Sequence, residues 1–340
     1  MPRAFGAGEA RSWALENLKG QCGCILPTFT SDLKDINEDA IRHDVRREKE
    51  LGMSGVLIVS ECGTTFEELE RVTEIVVDEA AGELHTIAHG ALATLEDNVR
   101  LAQLSEAAGV DGILCSYPLM FYPTSEDEVY EYTKKLADSS NLGLIIFAIN
   151  LWNFRRLHPS DFNPDLIGRL IDDAPNVMAV KTEIGLPSAA GVAQIFERYG
   201  DRVVVTDPLE PNAPIWQRNY GMQWMGTSNY EAMGGELPKY FKLLQEDKYE
   251  EAMEIYWRLH PLRLVNGTIN WGAVQGTSLV HRLVWKYQGW LNGFNGGPIR
   301  SPQMRLDDAQ MRQLRAAAIQ AGLDVTDEPD SAFFVGRNPR

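Results

Sequence analysis

The sequence predicts an α/β protein built as a (β/α)8 barrel with a helical appendage at its C-terminus. Three observations carry this expectation. Eight short apolar runs recur about 30 residues apart, as a closed parallel barrel needs, because each parallel pairing requires a crossover. Amphipathic helical patterns fill most of the gaps between them. After the eighth run the pattern becomes helical throughout.

The runs are GCILPTFT (23–30), SGVLIVSECG (54–63), LHTIAHGA (84–91), DGILCSYP (111–118), LGLIIFAIN (142–150), NVMAVKTE (176–183), RVVVTDP (202–208) and QWMGTSN (223–229). Between them lie INEDAIRHDVRREKELG, TFEELERVTEIVVDEAAG, TLEDNVRLAQLSEAAG and SEDEVYEYTKKLADSS. Several open on Thr or Ser with an acid three residues on and close on Gly, which are helix start and stop signals. A doubly wound open sheet is the structural rival, but no Gly-x-Gly-x-x-Gly follows the first strand. The barrel is therefore expected over 20–235, a helical region over 236–322 (LPKYFKLLQEDKYEEAMEIYWRLHPLRL, SLVHRLVWKYQGWL, DDAQMRQLRAAAIQAG) and a tail over 323–340. The AFFVG of that tail suggests docking on a neighbour.

Composition narrows the function. The 340 residues are 44% hydrophobic and 24% charged, as in a soluble globular protein. Against 32 basic residues stand 48 acidic ones, a net of -16 with no long basic cluster, so nucleic acid is not an expected partner. No run approaches the roughly 20 apolar residues of a membrane span, and MPRAFGAGEARSW lacks the apolar stretch of a secretory signal, so a cytoplasmic protein is expected. Cys22, Cys24, Cys62 and Cys115 are scattered, with no paired CxxC, and read as reduced, buried thiols.

Chemistry in such barrels sits at the C-terminal ends of the strands. NVMAVKTEIG (176–185) sets Lys181 into an apolar run near the end of the sixth. An unpaired ammonium there is costly, and the usual escape leaves a neutral, nucleophilic amine. The plain alternative is a lysine that ends the strand and snorkels to water. Alternation puts Ala179, Lys181 and Glu183 on one face. At the end of the second strand, Gly63, Thr64 and Thr65 make a tight turn at a helix start, with hydroxyls and backbone N–H groups that suit a carboxylate or merely cap the helix.

With these residues in view, the chain resembles the class I aldolases related to dihydrodipicolinate synthase and N-acetylneuraminate lyase, over about residues 20–295. The resemblance rests on the Gly-Thr-Thr turn, the sixth-strand lysine, the GTSN turn after strand eight and the helical C-terminus. It implies that Lys181 forms a Schiff base with pyruvate or another 2-oxo acid, that Gly63, Thr64 and Thr65 seat the keto-acid carboxylate, that Gly226 and Thr227 line the site, that no cofactor is used, and that the chain assembles as a homodimer or homotetramer. The sequence departs from the family pattern twice. Phe66 stands where Gly is usual, and IIFAINLWNF puts Phe147 where the family has a proton-shuttling tyrosine. Glu183 and Tyr117 are the candidates to carry the proton, and Asn150 the candidate to keep the contact of the family's asparagine.

Phe66, Phe121, Trp152, Phe154 and Trp224 fall at or after strand ends and suggest an apolar or aromatic second substrate. The hydratase-aldolases of aromatic catabolism have a Tyr-Ala-Asn similar to Phe147-Ala148-Ile149-Asn150. The expected function is a 2-oxo-acid lyase, aldolase or hydratase-aldolase. The alternatives are a dehydratase or decarboxylase of the same family and a non-catalytic 2-oxo-acid-binding barrel. A metal enzyme using His85, His89, Glu61, Glu183 or Asp207 is a further rival, but four residues of strand put His85 and His89 roughly 13 Å apart, and no metal is expected.

Overall fold

A computed structural model describes residues 5–6, 8–183, 189–277 and 280–340. Ile184 and Gly185 of the lysine stretch, and Ser278 and Leu279 of the helical pattern SLVHRLVWKYQGWL, lie outside them. The strands are β1 (Gly20–Ile25), β2 (Gly55–Ile58), β3 (His85–Gly90), β4 (Gly112–Cys115), β5 (Gly143–Ala148), β6 (Val177–Thr182), β7 (Val204–Thr206) and β8 (Trp224–Thr227). They make one eight-stranded sheet in the order β7-β6-β5-β4-β3-β2-β1-β8. The registers of β1 with β2 and of β3 through β7 are parallel. This is the (β/α)8 barrel that the spacing predicts.

Helices α1 (Ala10–Asn17), α2 (Glu38–Leu51), α3 (Phe66–Ala80), α4 (Leu95–Ala108), α5 (Glu126–Ala137), α6 (Pro164–Asp173), α7 (Ala189–Tyr199) and α8 (Ala213–Tyr220) precede or join the strands. Helices α9 (Glu236–Gln245), α10 (Tyr249–Arg258), α11 (His260–Thr277), α12 (Arg282–Leu291) and α13 (Asp308–Gln320) follow them. The start signals act as expected: Thr65, Thr94 and Ser125 each accept a hydrogen bond from the backbone N–H three residues on. The first strand runs Gly20–Ile25 rather than from Gly23 through Thr30, because Pro27 has no N–H to continue the ladder.

The chain divides into two compact units, Met1–Gln21 with His85–Gly226, and Cys22–Leu84 with Thr227–Arg340. In the first, α1 was not legible as a helix, and its Arg11 explains its place. The guanidinium donates to the carbonyls of Ile171 (2.7 Å), Ala174 (3.1 Å) and Val177 (3.2 Å), satisfying acceptors that the end of α6 leaves open. In the second unit the tail packs on its own unit. Phe333 is fully buried against Tyr287 and Trp290, and the Arg340 carbonyl accepts from the Ser31 N–H at 2.7 Å. No described helix is long and apolar enough to cross a membrane.

The second unit also buries two acids on one glycine. Glu48 of α2 and Glu231 crowd Gly23 so closely that a Cβ there would overlap the Glu48 carboxylate. The Cys24 N–H donates to Glu231, and the Glu48 and Glu231 carboxyls lie within hydrogen-bonding reach of each other. Burial, reinforced by Glu231, pushes the Glu48 carboxyl well above its ordinary 4.5. A folded pKa raised in this way favours the native state below the unfolded value, and the advantage is lost as pH rises through the folded one. Glu48→Gln should therefore stabilise the protein by about 1–3 kcal/mol at pH 8 and change little at pH 4. Thermal melts at the two pH values check this, and a lower melting temperature for the variant at pH 8 would contradict it.

Candidate active site

In the first unit Lys181 lies within β6, paired in register with Phe147 of β5 and Thr206 of β7, and is only 5% exposed. Its amine does not snorkel. Nζ sits 4.0 Å from the centroid of the Phe147 ring and 3.8 Å from Oε1 of Glu183. The carboxylate stands close enough to take the proton that the amine must give up before it attacks a carbonyl.

Glu183 is half-buried, with a side chain only 9% exposed. Burial pushes its carboxyl up to about 7, Lys181 pulls it down, and Asp207 adds to the rise. Asp207 follows β7 and is buried. It accepts from the Leu209 N–H (2.9 Å), the Asn212 amide (2.8 Å) and the Trp216 indole (2.7 Å), and burial nonetheless raises its pKa. A carboxyl near 7 flanked by an amine and a second acid is suited to passing protons at neutral pH. From the sequence alone Asp207 stands out only as a candidate metal ligand. The acid ending TDP, followed by Asn212 and Trp216, was the signal for a fixed buried charge.

The aromatic residues divide by role. The Trp152 indole donates to the Phe147 carbonyl at 2.7 Å, and the Trp152 ring meets those of Phe147 and Tyr117 edge-on, each at 5.6 Å. Tyr117 is packed against Phe121, Tyr132 and Phe154. Its hydroxyl donates to Thr133 Oγ1 at 2.6 Å, because the Thr133 hydroxyl is itself spent on the Val129 carbonyl. Burial pushes the phenol far above its ordinary value. The Tyr117 hydroxyl is thus spent on Thr133 of α5. Asn150 is exposed at the start of a 3-10 turn. Gly226 adopts φ +75°, where a Cβ would press Thr206 at 3.3 Å, and Thr227 is buried at the end of β8. His89 bonds Ser116 Oγ and His85 the Asn17 carbonyl.

In the second unit, Gly63 adopts φ +75° and a Cβ there would strike the Ser301 carbonyl, so only glycine fits. Thr65 caps α3: its hydroxyl accepts from the Glu68 N–H (3.2 Å) and its own N–H donates to the Glu68 carboxylate (2.8 Å). These two N–H groups, expected to be free for a ligand, are consumed by the capping box. Thr64 differs. Its Oγ1 is buried and has no hydrogen-bond partner. Buried polar atoms left this way are rare, and an acceptor-rich group such as a carboxylate would satisfy the hydroxyl.

A parallel barrel with a lysine buried in its sixth strand beside a carboxyl near neutrality has the layout of an enzyme that works through an amine. The chain belongs to the dihydrodipicolinate synthetase family, whose description matches residues 17–321. It is 27% identical over 251 residues to the 4-hydroxy-tetrahydrodipicolinate synthase of Chloroherpeton thalassium, covering 72% of this chain and 77% of that protein. To the 4-hydroxy-tetrahydrodipicolinate synthase of Methanopyrus kandleri it is 29% identical over 189 residues, covering 54% and 58%, so the match spans less than two thirds of that relative. The solved N-acetylneuraminate lyase of Fusobacterium nucleatum shares the fold, with a TM-score of 0.73 at 19% identity over 89% of this chain and 98% of that one.

Proposed function

We propose that this chain is a Schiff-base-forming lyase acting on a 2-oxo acid of the pyruvate type. The observation that carries the reading is the burial of Lys181, 3.8 Å from Glu183, in a member of this family. Lys181 Nζ attacks the ketone carbon, and the carbinolamine loses its oxygen as water once a proton is delivered. The resulting iminium accepts the electron pair left at the α-carbon when the α–β carbon–carbon bond breaks or the α-proton is removed, and the enamine so formed returns that pair to take up a proton, to expel a β-hydroxyl as water or to attack an aldehyde carbon. Glu183 moves the protons that Phe147, lacking a hydroxyl, cannot. Phe147 covers the amine, and Trp152, Gly226 and Thr227 complete the lining. Asn150, being exposed, is assigned to the outer part of the substrate.

Thr64, with the capped Thr65 behind it, takes the carboxylate. Thr64→Val deletes a hydrogen bond to a charged group, worth about 1.5–3 kcal/mol, and should weaken 2-oxo-acid affinity about 10- to 150-fold. Titration of imine formation against pyruvate measures this, and an unchanged half-saturation would remove Thr64 from the site.

The second substrate is aromatic or otherwise apolar, as for a hydratase-aldolase, and the cluster of Phe147, Trp152, Tyr117 and Phe154 supports this. Following condensation of pyruvate with benzaldehyde-type and polyhydroxy aldehydes decides it. The apolar aldehydes should react faster, and a preference for the polyhydroxy series would overturn the assignment. The enzyme works in the cytoplasm as at least a dimer, with 20–235 as its barrel, 236–322 as a helical region and 323–340 as its tail. Exposed Trp257 and Leu264 on the C-terminal helices support assembly. Light scattering that gives the 38.1 kDa monomer at micromolar concentration would refute it.

A further inference from the structure

The loop from Glu61 to Glu68, which holds the Gly63-Thr64-Thr65 turn, is tied at several points by residues more than 200 positions away in the sequence. Buried Arg282 of α12 donates through Nε (2.8 Å) and Nη2 (2.5 Å) to Oε1 of Glu61. The Gln303 amide donates to the Glu61 carbonyl at 3.1 Å and to Cys62 Sγ at 3.6 Å. Arg300 donates through Nη1 to the Gly63 carbonyl (3.4 Å) and to the Glu68 carboxylate (2.6 Å), the same carboxylate that closes the capping box. Its Nε and Nη2 donate to the carbonyls of Leu33 and Lys34, each at 2.8 Å, so one guanidinium fixes the loops after β1 and β2 together.

These ties hold Glu61, Cys62, Gly63 and the Glu68 carboxylate, and they leave the Thr64 hydroxyl buried and unpartnered. A segment that merely needed anchoring would not leave its one buried hydroxyl unsatisfied, since that costs stability. We propose that Arg282, Arg300 and Gln303 are positioning residues that hold the Gly63–Thr65 turn in the conformation presenting Thr64 Oγ1 to the substrate carboxylate. The proposal rests on the reading of that turn as the carboxylate seat. The three side chains act through the loop, so loosening them should raise the pyruvate concentration needed without slowing the chemistry that follows binding.

The test uses the full chain and Arg300→Gln, with Gln303→Leu as a second variant and Arg300→Lys as the conservative one. Imine formation is titrated with pyruvate and with hydroxyacetone, a ketone that has no carboxylate. The half-saturating pyruvate concentration should rise between about 10- and 100-fold in Arg300→Gln, with the maximal rate and the hydroxyacetone titration unchanged and part of the affinity restored in Arg300→Lys. Equal weakening for both ketones, or no change for either, overturns the proposal. Should the wild-type chain form no imine with any 2-oxo acid, the functional reading fails, and hydrogen exchange then decides the positioning claim. Pyruvate should protect residues 61–68 in the wild type and lose that protection in Arg300→Gln; absence of protection in the wild type overturns it.

Discussion

Lys181→Ala should abolish turnover, with a loss on the order of 10⁴- to 10⁶-fold, the range seen when a member of an enzyme's nucleophilic machinery is removed. Lys286 is also buried, and burial lowers its amine to about 8, but its Nζ is occupied by the Pro27 carbonyl (3.2 Å) and Thr28 Oγ1 (2.6 Å). Without Lys181 the Glu183 carboxyl, already raised by burial, loses the cation that pulls it down and takes up a proton rather than remain an unpaired buried charge, so the variant should fold. Steady-state assay with the best aldehyde acceptor measures the loss, and residual turnover within about tenfold of wild type would place the nucleophile elsewhere.

Glu183→Gln is expected to slow turnover about 10²- to 10⁴-fold while leaving an imine at Lys181, because general acid–base help is lost and the amine is not. Its carboxyl titrates at about 7. As a base it works ionised, so kcat/KM should rise with pH to a plateau above about 7, and the Gln variant should lose that limb. Stability runs the opposite way. The folded pKa lies above the ordinary 4.5, so the protonated acid favours the native state below 4.5, and the advantage is lost as pH climbs through about 7. The Gln variant should accordingly gain up to about 3 kcal/mol over wild type between pH 4 and pH 8. Phe147→Tyr in the Gln background should restore part of the rate, since Phe147 faces the same amine. A Gln variant with normal turnover would leave water or the substrate to carry the proton. One that loses imine formation altogether would make Glu183 the structural partner of Lys181.

Much of this could be read from the sequence because it is local. A charge set into an apolar run marked Lys181, periodicity marked eight strands, and Thr65 with Glu68 marked the start of α3. What could not be read depends on register and on long-range contact. Phe147 looked like a tyrosine that had lost its hydroxyl. Only the pairing of β5 with β6 reveals that its ring lies against the lysine amine. Tyr117 carried the right functional group, but its hydroxyl is spent on Thr133, and a bond across sixteen residues leaves no periodic trace. The Thr65 signature was legible as both a cap and a seat. The capping box uses the very groups a ligand would need, and the unpartnered hydroxyl falls to Thr64. Asp207 affects Glu183 through space, and the anchoring of the 61–68 loop by Arg282, Arg300 and Gln303 spans most of the chain.

The central claim, that Lys181 forms an imine with a 2-oxo acid, is tested most directly by covalent trapping. The protein is incubated with pyruvate, reduced with borohydride, digested and mapped by mass spectrometry. The account predicts a reduced adduct on the peptide carrying Lys181, absent without pyruvate and absent from Lys181→Ala. An adduct on Lys286 or any other lysine instead, or none with pyruvate and every other 2-oxo acid tried, would contradict it.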